Sequence, residues 1–372
     1  MKTIVHAIDE MKMGGAQTHL LTILKELRKQ HPEDRHVILV LFKESEFPEE
    51  INVIDVELKL LRLGPHFESR KFYKSYKIIK KSLKNLNPDI VESHLTWSRL
   101  LVNTAAFRLK IPIHIGFEQG DTHMKSSKMR MANFVSQFMF KHIIVCSDSL
   151  FDWVRKTHKI SKNKLKVMYN CVDLEKFMPV KEKNLQAYLN FDQPLPKYCF
   201  ITVGSLGKGN NKRIDISIQA IAQLRKNNVD AGLIICGDGE LKQDLMSLVQ
   251  NLEIEENIYF LGIRKDVERI MPHAFAYLHS AAYEPFGIVC IEAMASGLPV
   301  IIPNSGGIKD IITNNIEGYI YSSLNPDDMA AKMLKIVSEE KNYSNMKMAA
   351  LTNVRKFGVD IYVNKLYKLY NE

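Results

Sequence analysis

The sequence predicts an α/β protein, with two Rossmann-like domains whose parallel sheets face an interdomain cleft. Three observations lead there. The chain has 372 residues, too many for one ordinary core and suited to two domains of roughly 150–200 residues each. Short β-rich runs alternate with helical ones along most of its length, as when helices layer on a parallel sheet. Both halves also open alike, with a strand, a glycine turn and a helix. Composition agrees, since 46% hydrophobic and 25% charged residues describe a folded globular chain.

The elements follow in order. In the first half, strands are expected at Thr3–Ile8, His36–Phe42, Asp89–Ser93, Ile113–Phe117, His142–Ser147 and Lys166–Tyr169. Helical patterns lie between them. In Ala16–Lys29, for example, Leu20, Ile23, Leu24 and Leu27 share one face. Met178–Tyr198 breaks the rhythm with Pro179, Pro194 and Pro196 among polar residues, and reads as a linker. A second strand series follows at Phe200–Gly204, Gly232–Cys236, Asn257–Gly262, Ala276–Ser280, Val300–Pro303 and Gly318–Tyr321. After about residue 326 the pattern is helical to the end. The expected division is 1–178 for the first domain, 179–198 for the linker and 199–352 for the second domain. Residues 353–372 then form a terminal helix that crosses back to the first. Ligands of such open sheets bind at the carboxyl ends of the strands, where helix starts and βα loops converge.

Several classes are disfavoured. No apolar run approaches the ~20 residues that span a bilayer. Asp9, Glu10 and Lys12 interrupt the first apolar stretch, unlike a signal peptide, so a cytoplasmic protein is expected. Cys146, Cys171, Cys199, Cys236 and Cys290 are scattered, with no Cys-x-x-Cys pair, and read as reduced, buried thiols. Zinc-type His/Cys spacing, Gly-x-Gly-x-x-Gly and a Walker loop are all missing from the sequence.

Charge is uneven. The net value is +9, yet residues 1–180 hold 30 of the 51 Lys/Arg against 20 of the 42 Asp/Glu. One source is Ser69–Leu86, where Arg70, Lys71, Lys74, Lys77, Lys80, Lys81 and Lys84 alternate with Phe72, Tyr76, Ile79, Leu83 and Leu86. That spacing gives a packed face beneath a cationic one. A second stretch, residues 125–142, carries Lys125, Lys128, Met129, Arg130, Met131, Phe134 and Phe138. Such helices suit an anionic membrane surface, at about 1 kcal/mol per basic residue, and equally well a merely solvated face. Interleaved aromatics are too few to suggest nucleic acid.

The stretch with most chemistry in it is Ser280-Ala-Ala-Tyr-Glu284-Pro-Phe-Gly287-Ile-Val-Cys-Ile-Glu292-Ala-Met-Ala-Ser-Gly297-Leu-Pro299-Val. A strand ends near Ser280, and Pro285 and Gly287 turn the chain into an apolar helix that Gly297 stops. Free amides at the helix start bind phosphate with help from the macrodipole. Glu284 and Glu292 flank that start, placed to take hydroxyls at two ends of one long ligand. Singly, each is more often an exposed or capping acid. A diphosphate also needs cations, and Gly204–Arg213 offers Ser205, Lys208, Lys212 and Arg213 at a strand-to-helix turn. There the bland alternative is a solvated lysine and an ordinary helix start. Gly15, in the Gly14–Gly15 turn, can bring its amide to a phosphate or sugar, or simply turn the chain.

These residues resemble glycosyltransferase family 4, of the GT-B superfamily. Glu284 and Glu292 form the family's Glu-x7-Glu signature. Gly14-Gly15-Ala16-Gln17, Asp89-Ile-Val-Glu-Ser-His94, Ser147-Asp148-Ser149, Tyr169-Asn-Cys-Val-Asp173, Leu261-Gly262 and Gly306-Gly307 are similar to further family segments, in the same order. The resemblance implies a retaining, metal-independent hexosyltransferase with a nucleoside-diphosphate sugar as donor and no cofactor. Its acceptor would be a glycan or lipid-linked molecule of cell-surface polysaccharide or glycolipid synthesis, met on the inner face of the cell membrane. By the same resemblance Glu284 contacts hydroxyls of the transferred sugar and Glu292 the nucleotide ribose. Backbone around Phe286, Gly287, Ile288 and Val289 meets sugar and diphosphate, and the base lies near Ile263 and Arg264.

Two departures stand out. Ser205 occupies the place of a usual family arginine; Lys212 matches the family lysine, with Arg213 or Lys208 as a substitute for the missing charge. In Phe117-Glu118-Gln119-Gly120-Asp121-Thr122-His123, Gln119 stands where many members have a reacting-side histidine. Glutamine can donate to a sugar hydroxyl but does not titrate near neutrality. Glu118, Asp121 and His123 are further polar candidates in that acceptor-facing loop. No Asp-x-Asp triplet of the metal-dependent type occurs in the sequence. A second reading therefore stands beside the first: a catalytically weakened sugar-nucleotide-binding or regulatory protein of the same fold.

Overall fold

The computed structural model describes residues 1–12, 14–42, 46, 48–63, 69–120, 127–189, 194–209 and 211–372. It forms two compact units, Met1–Cys171 with Val359–Glu372, and Val172–Gly358. The division falls at Val172 instead of 178, and the stretch read as a linker belongs to the second unit. Specific bonds hold it there: the Asn184 amide donates to His273 at 3.0 Å, and Lys183 Nζ reaches the Tyr343 hydroxyl at 3.2 Å.

In the first unit β1 (Thr3–Ile8), α1 (Gly15–Gln30), β2 (Arg35–Val40), α2 (Pro48–Ile54), β3 (Glu57–Leu60), α3 (Ser69–Leu86) and β4 (Ile90–His94) follow one another. They continue with α4 (Thr96–Arg108), β5 (Ile113–Glu118), α5 (Ser127–Ser136), β6 (His142–Val145), α6 (Asp148–His158) and β7 (Leu165–Val167). The strands make one parallel sheet in the order β3-β2-β1-β4-β5-β6-β7. Period-two alternation divides the core between its faces. Ile4, Ile8, Ile38 and Ile90 pack with Leu20, Ile23, Leu24 and Leu27 of α1, while Val5, Val37 and Val91 pack with Ile79, Leu83, Leu101 and Val102 of α3 and α4. Strand β3 has no counterpart among the expected strands. As an edge strand, half-exposed and reading Glu-Leu-Lys-Leu, it lacks the apolar run that marks a central one.

The second unit contains α7 (Leu185–Leu189), β8 (Tyr198–Val203), α8 (Ile214–Lys226), β9 (Ala231–Cys236), α9 (Lys242–Asn251), β10 (Ile258–Gly262) and α10 (Val267–Ile270). It is completed by β11 (Tyr277–Leu278), α11 (Ile288–Ala295), β12 (Val300–Pro303), β13 (Gly318–Tyr321), α12 (Pro326–Ser338) and α13 (Glu340–Asn353). Its parallel sheet runs β10-β9-β8-β11-β12-β13. The chain then returns to the first unit as α14 (Val359–Leu369), which buries Tyr362, Val363 and Leu366 in the core that α1 covers. Each unit is thus a Rossmann-like sheet between helices. Strand order reverses between β1 and β4 in one sheet and between β8 and β11 in the other. At such a point successive loops leave toward opposite faces and open a crevice at the carboxyl ends of the strands.

Candidate functional site

Because β8 and β11 are neighbours at the second reversal, the loops that follow them run side by side, and backbone bonds lace them together. The Ala282 amide donates to the Asn211 carbonyl and the Ser280 hydroxyl to the Lys212 carbonyl, both at 2.8 Å. A third strand's loop joins them: Ser305 Oγ donates to the Ala282 carbonyl at 2.6 Å and the Gly307 amide to the Glu284 carbonyl at 2.8 Å. Gly306 makes this approach possible. Its φ is +67°, and a Cβ there would lie 2.2 Å from the Glu284 carbonyl oxygen.

The lacing brings two of the expected residues into contact. Lys212 Nζ donates to Glu284 Oε2 at 2.6 Å, and His279 Nε2 stands 3.3 Å from the same oxygen. On its other side His279 Nδ1 meets the Tyr277 hydroxyl at 2.8 Å. Burial works to raise the Glu284 carboxyl, but Lys212 and His279 outweigh it and hold the group down at about 2. Glu284 is therefore an ionised acceptor, fixed in place. Glu292, on α11, is its opposite. Its carboxyl has no hydrogen bond or ion pair with the described residues, and burial pushes it up to about 7, with Lys176 working against that and Glu268 with it. Gly287 caps α11 at φ +96°, and its amide neighbours Ile288 and Val289 are half-buried at the helix start. The Phe286 ring is buried against Phe357, 5.8 Å between centroids, so this residue can offer a ligand its backbone only.

The other expected residues are placed differently. Arg213 begins α8 with its guanidinium on both Asp215 oxygens, at 2.8–3.1 Å. Its charge is already balanced, which weakens it as the substitute cation. Lys208 is exposed, 3.5 Å from Glu240, and Ser205 is exposed as well. Arg264 clasps Asp266 at 2.6 and 2.8 Å, beside an exposed Ile263. In the first unit Gly15 is the exposed first residue of α1, and Gln119 is half-buried just past β5. Glu118 is corrected from candidate to core. It is buried in an ion pair with Arg99, which also donates to Asn133 at 3.2 Å, and a buried carboxylate is stable when it is paired in this way. Asp121, Thr122, His123 and Lys125 lie outside the described residues, as do the side chains of Arg70, Lys71, Lys128 and Met129.

Sequence reasoning missed His279 and Tyr277. Both sit in an apolar strand ending, where a histidine reads as core, and only the fold brings Lys212 and Glu284 to them. Among the described residues His6, Glu92 and His94 form the one cluster with metal-ligand atoms close together. Hydrogen bonding accounts for His6 and Glu92, since His6 Nδ1 is 2.7 Å from Glu92 Oε2, His6 Nε2 is 3.0 Å from His36 and the Tyr370 hydroxyl donates to Glu92 Oε1 at 2.5 Å, while His94 Nε2 stands 3.5 Å from Glu92 Oε2. The five cysteines are buried free thiols, and burial pushes Cys199 and Cys236 up to about 12, out of nucleophile range.

The fold and the site define a two-domain Rossmann-like protein with an acid–lysine pair at a strand reversal, and comparison with known proteins narrows that class. Residues 13–176 match Glycosyltransferase Family 4, and residues 190–352 match Glycosyl transferases group 1. Each half of the chain is therefore similar to a glycosyltransferase domain. It is similar to an uncharacterized glycosyltransferase of Methanocaldococcus jannaschii, 28% identical over 222 residues, covering 58% of this chain and about half, 55%, of that protein. It is also similar to the UDP-Gal:alpha-D-GlcNAc-diphosphoundecaprenol alpha-1,3-galactosyltransferase of Escherichia coli, 27% identical over 317 residues, 81% of this chain and 79% of the other. Anabaena HepE, solved in complex with UDP and glucose, shares the fold with a TM-score of 0.85 over 100% of both chains at 17% identity.

Proposed function

We propose that the protein transfers a hexosyl group, with retention of anomeric configuration, from a nucleoside-diphosphate sugar to a glycan or lipid-linked acceptor. The observation that carries this reading is the Lys212–Glu284 pair at the β8/β11 reversal, with an unpaired Glu292 on the helix that follows. An ionised carboxylate accepts hydrogen bonds from sugar hydroxyls, and Glu292 is free to take the ribose. Lys212 and the first amides of α11 face the diphosphate and balance charge as it leaves. The similarity to the E. coli enzyme, whose name gives a UDP-sugar donor and a diphosphoundecaprenol-linked acceptor, supports both substrate classes. Retention follows from a front-face path: the leaving phosphate oxygen takes the acceptor's proton while the new bond forms on the side just vacated. With charge balanced by Lys212 and amides, no metal or cofactor is needed. Full activity should persist in EDTA, and a loss restored by Mg²⁺ or Mn²⁺ would end that part of the reading.

The deciding experiment is a thermal-shift panel of UDP-galactose, UDP-N-acetylglucosamine and GDP-mannose. The true donor stabilises the fold by mass action, about 2.7 kcal/mol at a hundredfold excess over its Kd. No shift with any nucleotide sugar would refute the reading. The binding-only alternative draws support from Arg213, whose commitment to Asp215 leaves Lys212 short of a companion cation. Slow donor hydrolysis without acceptor marks an enzyme; tight binding with no hydrolysis or transfer marks the alternative.

A lipid-linked acceptor also fits the basic first unit. On α3 Lys74, Lys77, Lys81 and Lys84 are exposed above buried Ile79 and Leu83. On and after α5, Met131 (62% exposed), Phe134, Val135 and Phe138 (67%) are turned outward. Basic side chains with apolar neighbours suit peripheral contact with the inner face of the cell membrane.

A further inference from the structure

We propose that His279, steadied by Tyr277, is a positioning residue that takes over the Glu284 carboxylate when Lys212 leaves it for the diphosphate of the donor. The inference rests on the donor-site reading above and adds a device to it. Lys212 Nζ holds Glu284 Oε2 at 2.6 Å. The same cation is the one that the diphosphate calls for, and its movement to phosphate would stretch or break this pair. A largely buried carboxylate left without a partner would be strongly destabilised. His279 is placed to prevent that. Its side chain is only 4% exposed, and its Nε2 lies 3.3 Å from Oε2 but lacks an aligned hydrogen-bond partner among the described residues. A buried, unsatisfied donor aimed at an oxygen already held by another cation is the signature of a contact waiting to close.

The tautomer follows from its neighbours. A carboxylate only accepts, so the nitrogen facing Glu284 must carry the proton. In a neutral ring Nδ1 then accepts, and the Tyr277 hydroxyl 2.8 Å away must donate. Burial favours both assignments, since it lowers His279 from the ordinary imidazole value and raises Tyr277 well above the ordinary phenol value. The chain Tyr277–His279–Glu284 is therefore polarised in one direction, toward the carboxylate that meets the sugar. When Lys212 swings to phosphate, a shift of a few tenths of an ångström lets Nε2–H close on Oε2. Glu284 stays ionised, and its other oxygen remains open to sugar hydroxyls.

Calorimetric titration of the full chain separates the roles without needing an acceptor. The probes are the nucleotide sugar that the thermal-shift panel selects and its own nucleoside diphosphate and monophosphate (UDP and UMP for a uridine donor), tested on wild type, His279→Phe, His279→Gln and Tyr277→Phe. In wild type the sugar should add tenfold or more to the affinity of the bare diphosphate. In His279→Phe that margin should fall below twofold while the monophosphate, too short to claim Lys212, binds within threefold of wild type. His279→Gln, which keeps an N–H toward Oε2, should restore most of the margin, and Tyr277→Phe should sit between. A His279→Phe protein that keeps the full margin overturns the inference, and so does one in which monophosphate binding is lost as well and His279→Gln rescues nothing. If no nucleotide sugar binds wild type, the donor-site reading falls and takes this inference with it. If one binds and the His279→Phe margin is intact, only the handover is wrong.

Discussion

Lys212 is what separates Glu284 from Glu292. The two side chains are chemically the same, but one is held near 2 by a cation and a histidine and the other is raised to about 7 by burial without a partner. Their effects on stability have opposite signs. Glu284, depressed below its ordinary 4.5, contributes stability that is present above that value and is lost as pH falls toward 2. Glu292, raised above 4.5, carries a burial penalty that is absent below that value and grows as pH rises through about 7. Replacing it by the neutral isostere, Glu292→Gln, should therefore stabilise the ligand-free protein by about 2–3 kcal/mol at pH 8 and by almost nothing at pH 4. Thermal melts at the two pH values test this, and equal shifts at both would show that the carboxyl is not strained. Function should divide the pair another way. Glu284→Ala should lower transfer by about a hundredfold or more while UDP binds as tightly as before, because the freed Lys212 still meets phosphate. Glu292→Ala should instead weaken UDP by about tenfold. Exchanged phenotypes in a binding and activity assay would mean that the donor lies in the reverse orientation.

At the scale of elements, position is conferred by loops that no helix or strand propensity describes. The Glu284 carbonyl is held by the amides of Gly307 and Ile308, and Gly306 is what lets that loop come so close. Gly306→Ala meets backbone at 2.2 Å and a positive φ together, so the loop must shift. Donor affinity should fall tenfold or more and stability by about 2–4 kcal/mol, whereas Gly209→Ala, which meets nothing within 4 Å, should change little. Titration and melting of both variants give the comparison, and a benign Gly306→Ala would show that the lacing is dispensable. The terminal helix has its own anchor. Burial would raise Glu92, but His6 beside it outweighs that and keeps the carboxyl well below its usual range, while the Tyr370 hydroxyl caps the second oxygen just beyond α14. Tyr370→Phe should cost about 1–3 kcal/mol by uncapping a buried charge, and its loss should concentrate in the first unit, seen as faster amide exchange along α14.

At the scale of the whole molecule, two cores of similar construction are given different surfaces. The excess of positive charge lies in residues 1–180, while the Lys212–Glu284 pair lies in the second unit. Neutralising Lys74, Lys77 and Lys81 together should reduce sedimentation with anionic vesicles severalfold, and changing Phe134 and Phe138 to serine should reduce it further even in high salt, where charge is screened. Unchanged sedimentation in both variants would retire the membrane surface. Loss with the serine variants alone would make the contact apolar first and electrostatic second.

Read along the chain, periodicity was enough for the architecture. Parallel strands buried on both faces, such as Ile113–Glu118 and Ala231–Cys236, are apolar runs, and the α1 stripe from Leu20 to Leu27 repeats at helical spacing. Those signals are local, so they survive without knowledge of the fold. The edge strand β3 escaped because partial exposure erased its pattern. Within the site, the flanking acids and the glycine-started helix were legible because turn chemistry is written in consecutive residues. The partnership of Lys212 with Glu284, the commitment of Arg213 to Asp215 and of Glu118 to Arg99, and the presence of His279 behind the carboxylate were not. Residues that are 72 positions apart along the chain become neighbours only when β8 and β11 pair at the reversal of the sheet. Charge state and hydrogen-bond partner depend on that distance and on burial. Composition and spacing therefore selected the kind of fold and the kind of side chains, and three-dimensional packing alone decided which of them are free to act.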